Sequence, residues 1–263
     1  MKTVLRKYKI RSSVNLSVLL LSDLHARSAD DAIRIAKEVR PDIITLAGDI
    51  TETLGKTYHG HDESHDNSQG FRLMRECAKI TKTFYALGNH EMRPYPENLQ
   101  KILDTGVIFL DNSHTFISDR DGKTVCIGGL ASGLKEEGIL KPTNPPSLEW
   151  LNEFKKIDAY KILINHHPEY WAPYIKDSGI GLTVSGHAHG GQVRIFGKGF
   201  LAPGQGFFPK YDGGVFYDDN GDALVVGRGL CNTGGIVPRL FNPPEAVLIR
   251  LYNEEQTEKR DTI

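Results

Sequence analysis

The chain has 263 residues, 39% hydrophobic and 25% charged, the proportions of an ordinary soluble globule, and these exclude a disordered or collagen-like polymer. A formal net charge of −1 gives no global field to draw nucleic acid or an anionic membrane, so stable nucleic-acid binding is not expected. Cys77, Cys126 and Cys231 are odd in number and form no CxxC pair, which argues against a disulfide framework or a thiolate zinc site and for a reducing, cytoplasmic setting.

Lys2, Arg6, Lys7, Lys9 and Arg11 precede an apolar run at 14–21, the outline of a signal peptide. No small-residue cleavage site follows it, and no apolar run is long enough to span a bilayer. The basic residues are expected on an edge strand, where lysine discourages aggregation. A weak contact at the inner membrane face is the lesser reading. Further along, strand-like runs recur at 18–21, 43–47, 84–87, 107–110, 125–128, 162–164 and 182–184. Helical patterns lie between several of them, at 29–40, 70–80, 96–105 and 147–156. Such alternation predicts an α/β architecture. Beyond Gly191 the helical patterns stop, and β-like runs at 192–196, 214–217, 223–226 and 246–252 read as a second sheet. Segments 51–69 and 132–146 read as loops, either of which suits a lid or a plain surface connection. The whole chain, 1–263, reads as one domain.

Five short motifs each follow an apolar run: Asp23-Leu24-His25, Gly48-Asp49, Gly88-Asn89-His90-Glu91, His166-His167-Pro168 and Gly186-His187-Ala188-His189. Together they offer two Asp, one Asn and four or five His, an oxygen and nitrogen set suited to two divalent transition metals such as Mn, Fe, Zn or Co. Alternation would put Asp23 and His25, and likewise His187 and His189, on the same side of an extended segment. Paired metals in soluble enzymes mainly hydrolyse phosphoryl esters.

In order and content the five motifs resemble the calcineurin-like metallophosphoesterase superfamily, over about 17–245. The resemblance implies two packed mixed β-sheets flanked by helices, a four-layer α/β/β/α sandwich with metals at the strand ends. It assigns Asp23, His25, Asp49 and His189 to one metal, and Asp49, Asn89, His166 and His187 to the other, with Asp49 bridging. His90 would not be a ligand but would stand over the substrate as a proton donor, and Glu91 would orient its imidazole. His167 would then be a supporting or packed residue. The implied reaction is in-line attack of a metal-bridging hydroxide on a phosphomonoester, phosphodiester or pyrophosphate. A nuclease-type phosphodiesterase and a non-catalytic metal-bearing scaffold are the alternatives.

Two further stretches carry open readings. His59, His61 and His65 with Asp62, Glu63 and Asp66 suit a solvated loop or an accessory metal. Phe196, Phe200, Phe207, Phe208 and Tyr211, interleaved with Lys198 and Lys210, suit an apolar substrate tail or base, or simply pin a Gly-rich loop to the second sheet. The stretch 202–211 is similar to a bacterial branch of the superfamily that includes membrane-associated phosphohydrolases of the UDP-diacylglucosamine pyrophosphatase type, which implies a nucleotide- or lipid-linked phosphorylated substrate.

Overall fold

Strands buried on both faces need cover on both faces, and that requirement organises the fold. The computed structural model describes residues 1–25, 27–52, 68–91, 96–132, 143–231, 233–234 and 237–254. The first half contributes β1 (Val4–Arg11), β2 (Leu16–Leu21), β3 (Ile43–Ala47), β4 (Thr83–Ala86) and β5 (Ile108–Phe109). Then follow β6 (Ser113–Ser118), β7 (Thr124–Leu130), β8 (Tyr160–Asn165) and β9 (Leu182–Ser185). Short ribbons β10 (Arg194–Ile195) with β11 (Lys198–Gly199), and β12 (Leu201–Ala202) with β13 (Gly206–Phe207), precede β14 (Gly214–Tyr217) and β15 (Ala223–Val226). A last ribbon, β16 (Thr233–Gly234) with β17 (Val237–Pro238), leads into β18 (Glu245–Tyr252).

Among the described residues these form two six-stranded mixed sheets, in the orders β1-β18-β2-β3-β4-β5 and β14-β15-β9-β8-β7-β6. Alternation along each strand splits its apolar side chains between two layers. Val18 and Leu20 face the second sheet and pack with Ile162, Ile164, Leu182 and Val184. Leu19 and Leu21 face the other way, onto Ile33, Leu73, Met74 and Cys77 of α1 (Asp30–Val39) and α2 (Ser68–Ile80). Ile102 of α3 (Pro96–Leu103) joins that layer. The outer face of the second sheet packs on Leu151 and Phe154 of α4 (Leu148–Lys155) and on the helical turns Pro168–Tyr170 and Trp171–Ile175. The expected α/β/β/α layering is thus present. Asp30 and Asp31 lie in the first turn of α1 and Lys37 in its last, each charge complementing the helix dipole.

Four of the five basic N-terminal residues, Arg6, Lys7, Lys9 and Arg11, lie exposed on β1, an edge strand, as expected, while Lys2 precedes it. One expectation is corrected. The runs beyond Gly191 do not build the second sheet by themselves: it starts at β6, and only β14 and β15 join it. β18 instead inserts between β1 and β2, parallel to the former and antiparallel to the latter. Its alternate residues Val247, Ile249 and Leu251 reach the inter-sheet core while Ala246 and Leu248 reach the helix layer. A doubly buried run fits the interior of either sheet, so its periodicity could not name the partner. The histidine-rich group at 59–66 and positions 133–142 of the second loop lie outside the described residues. All three cysteines are buried, as expected.

Leu182, fully buried between the sheets, should lose about 2–5 kcal/mol on truncation to Ala. Exposed Phe116→Ala on β6 should change stability by no more than about 0.5 kcal/mol. Urea denaturation of the two variants checks the contrast.

Candidate metal centre

The turns leaving β2, β3, β4, β8 and β9 converge, and each carries one of the five motifs. Five of the expected ligands leave the strand conformation altogether: Asp23 (φ 53°), His25 (φ 48°), Asp49 (φ 52°), His187 (φ 64°) and His189 (φ 47°) are left-handed. Strand alternation therefore does not bring each pair together, as the sequence reading supposed; tight left-handed turns do. Such backbone is disfavoured for side chains with a Cβ and is held only where the surroundings over-determine it.

Asp49 sits at the middle, 1% exposed. Its Oδ2 lies 3.2 Å from His166 Nε2 and 3.7 Å from His25 Nε2. Its Oδ1 accepts the His90 backbone N–H at 2.9 Å. On the His25 side, His25 Nε2 is 3.3 Å from His189 Nε2, which is 3.5 Å from Asp23 Oδ1. On the His166 side, the Nε2 is also 3.2 Å from Asn89 Oδ1, and Asp49, His166 and His187 offer one ligand atom each within 4.8 Å of one another. Asp23 accepts the His187 N–H at 3.0 Å, lacing the β2 turn to the β9 turn. All seven expected ligands are thus brought together. A Cβ on Gly88 would overlap the Asp49 carboxylate, which is why that close approach needs glycine.

Two carboxylates that sequence reading paired wrongly or missed complete the site. Glu91 does not orient His90. Its Oε1 accepts the N–H groups of Ile50 (2.6 Å) and Thr51 (3.0 Å), and its Oε2 those of Asp49 (2.9 Å) and Gly88 (2.5 Å). The side chain folds back onto the turn after β3, so its effect on the centre passes through the Asp49 backbone. The carboxylate on His90 is Glu52, with Oε2 2.8 Å from His90 Nδ1 and Oε1 2.8 Å from His25 Nδ1. Its only sequence signal is its place three residues after Asp49. Other supports also went unread: Cys231 Sγ is 3.2 Å from His189 Nδ1, and Glu169 Oε1 is 3.3 Å from His167 Nδ1 and 3.9 Å from His187 Nε2. His167, fully buried, bonds Ser132 Oγ at 2.5 Å and belongs to this supporting layer.

The donor set fits cations. His166 Nδ1 donates to the Ala47 carbonyl at 2.7 Å, which turns its Nε2 toward Asp49. With His25 Nδ1 on Glu52 and His189 Nδ1 on Cys231, two Nε2 atoms meet at 3.3 Å beside two buried carboxylates. In the tautomers that place both Nδ1 protons on Glu52 and Cys231, the two Nε2 lone pairs face a common point that a cation would fill. Burial pushes His189 down to about 3, against the pull of Asp23, so it is neutral near pH 7 and able to ligate. Burial lowers His166 and His90 as well, but the Asp49 charge outweighs it and raises them to about 10 and about 9. Burial raises the Asp49 carboxyl, but His166, His90 and His25 hold it well below the usual carboxylate range.

Residues 16–191 match the calcineurin-like phosphoesterase family. The chain is similar to F40B5.2 of Caenorhabditis elegans, named as a metallophosphoesterase, at 27% identity over 91% of this chain and 49% of that protein. It is similar to phosphodiesterase YaeI of Escherichia coli at 28% identity over 68% of this chain and 62% of that protein. The chain therefore spans about half to two-thirds of the length of these relatives. The crystal structure of TT1561 of Thermus thermophilus shares the fold, with a TM-score of 0.52 and 16% identity over 83% of this chain and 91% of that one.

The raised imidazoles set a pH dependence for the metal-free protein. In the folded chain His90 and His166 stay protonated above the ordinary value of 6.5, so their stabilisation is complete below 6.5 and is lost as pH rises through about 9 and about 10. His189 works oppositely, its contribution being lost as pH falls from 6.5 toward about 3. The melting temperature of metal-free protein should therefore fall from neutral to alkaline pH. Adding Mn or Zn in weak buffer should release protons, because His166 must lose one to bind. A flat melting profile with no proton release would contradict the ligand role of His166.

Proposed function

The chain belongs to the calcineurin-like phosphoesterase family, a family of metal-dependent phosphoester hydrolases, and on that premise we propose that it uses two divalent cations to cleave a phosphate ester. Asp23, His25, Asp49 and His189 would hold one cation, and Asp49, Asn89, His166 and His187 the other. One observation carries the pair: the single buried carboxylate of Asp49 lies between His25 and His166, at 3.7 and 3.2 Å. When bound, such cations supply charge that acidifies water and stabilises the oxygens of a phosphoryl group. Their mixed N and O donors suit Mn, Fe, Zn or Co.

The residues of the chain do the rest. His90 is the most open of the site imidazoles, its side chain 31% exposed against 11% or less for His25, His166, His187 and His189. With Nδ1 on Glu52, the proton it passes to a leaving alkoxide is the one on Nε2. In the metal-free chain the Asp49 charge and Glu52 raise its affinity for protons, and the Glu52 contact is the one that would persist with cations on Asp49. Glu52 fixes His90 and His25 together, so the proton donor and one ligand keep a constant relation. Glu91 sets the Asp49 backbone through four N–H bonds.

The name of the Escherichia coli relative supports a phosphodiester as substrate. A panel of chromogenic monoester, chromogenic diester, UDP-linked lipid and single-stranded DNA tests this, with the diester expected to turn over fastest. Elemental analysis after metal loading should find about two ions per chain. His90→Ala should keep both ions and lose about 10²–10⁴-fold in turnover. Asp49→Asn should lose ions and activity together. One ion per chain in the wild type, or an ion lost from His90→Ala, would overturn these roles.

A further inference from the structure

The most exposed aromatic rings of the described residues stand on strained turns away from the strand-end motifs. Phe196 is fully exposed and Phe241 is 84% exposed, and both have left-handed backbone, φ 50° and 54°. Neither ring is buried in a core, so packing does not explain an aromatic side chain on such backbone. Ile195 and Leu240, also exposed, stand next to them. The two turns are one unit: Arg194 N–H donates to Leu240 O at 3.0 Å, and Leu240 N–H to Gln192 O at 3.3 Å. Between the rings lies a cavity of about 430 Å³ lined by Arg194, Ile195, Phe196, Gly197, Arg228 and Phe241.

The distribution of polarity identifies the occupant. A protein partner expects aromatic anchors at the centre of a patch and polar groups around its rim. Here the order is reversed: rings form the outermost tips, and two guanidinium groups lie recessed below them. Arg194 pairs with Asp212 at 3.1 Å and Arg228 with Glu245 at 3.4 Å, and both are largely buried. With Arg194 neutralised by Asp212 and Arg228 by Glu245, the cations left over on this face are Lys198 and Lys210. Lys198 and Lys210 are exposed. Apolar tips with cations set back from them match the profile of a bilayer interface, where rings enter below the headgroups and cations stay at phosphate level.

The geometry points to an anionic lipid bilayer as the partner of this face, with Phe196 and Phe241 inserting and the exposed Lys198 and Lys210 meeting lipid phosphates, while Arg194 and Arg228 stay paired with Asp212 and Glu245. The neighbouring hairpin adds exposed Phe207 and Phe208, and Phe200 beside them donates its N–H to Gly191 O at 3.1 Å, two residues from His189. The docking face is thereby tied to the turn that carries a candidate ligand. This inference stands apart from the hydrolase reading, because lipid binding is measured without turnover.

Cosedimentation of the metal-loaded full chain with vesicles of phosphatidylcholine alone, or with a third of phosphatidylglycerol, tests it. The wild type should pellet with the anionic vesicles and much less with the neutral ones. Phe196→Ser with Phe241→Ser should reduce that partition about tenfold or more. Lys198→Glu should reduce it about fivefold on anionic vesicles only. A Phe196→Trp variant keeps the anchor and should shift its fluorescence to the blue on anionic vesicles, whereas Phe116→Trp on the exposed edge strand should not. Equal partition of wild type and double serine variant overturns the proposal, as does no pelleting of the wild type with either vesicle. Self-association of the wild type, abolished in the double variant and without vesicle binding, would overturn it in favour of a contact between copies of the chain.

Discussion

A buried carboxylate is the constraint on which the centre depends. Asp49 ionised in an apolar interior is tolerable only if cationic groups and hydrogen-bond donors surround it. His166 and His25 both approach its Oδ2, and the His90 backbone N–H meets its Oδ1. The same charge propagates outward. It raises His166 and His90, and, after burial itself, it raises the neighbouring Glu91 carboxyl too. Four backbone N–H groups on Glu91 keep a second buried carboxyl acceptable so close to the first.

Holding that arrangement requires backbone that would not persist alone. Five candidate ligands occupy left-handed conformations, each costing on the order of 1–3 kcal/mol. The strands immediately before them are fully buried and hydrogen-bonded on both sides, so the turns cannot relax without disturbing two sheets. Stability and chemistry are thus divided along each motif: the apolar strand supplies the first, and the polar turn at its end spends part of it. Glycine at position 88 answers to the same shortage of space, since any side chain there would displace the Asp49 carboxylate.

Support for His189 comes from late in the chain, beyond the matched span of 16–191. Cys231 meets its Nδ1, and Asn242 donates to its carbonyl at 2.7 Å and to that of Gln192 at 3.1 Å. Arg239 in turn holds the carbonyls of Cys231 and Asn242 at 2.8 and 2.6 Å. The segment that carries this bracing is continuous with the turn bearing Phe241. One stretch of chain therefore fixes a candidate ligand on its inner side and presents an apolar tip on its outer side.

The sequence by itself determined the α/β class, the strand-end placement of the five motifs and the types of the candidate ligands, because an apolar run followed by an acid or imidazole is a local pattern. It also located the basic edge strand, since charge on a strand marks an edge. Tertiary structure alone decided where β18 goes, because a run buried on both faces fits either sheet equally well. It alone decided that Glu52, not Glu91, serves His90: adjacency in sequence does not set direction, and the left-handed turn at Asp49 carries the chain back so that Glu52 reaches two imidazoles at once. Cys231 and Asn242 were illegible for the same reason. Their role depends on contacts across 42 and 53 residues of chain, which only the closed fold brings within reach.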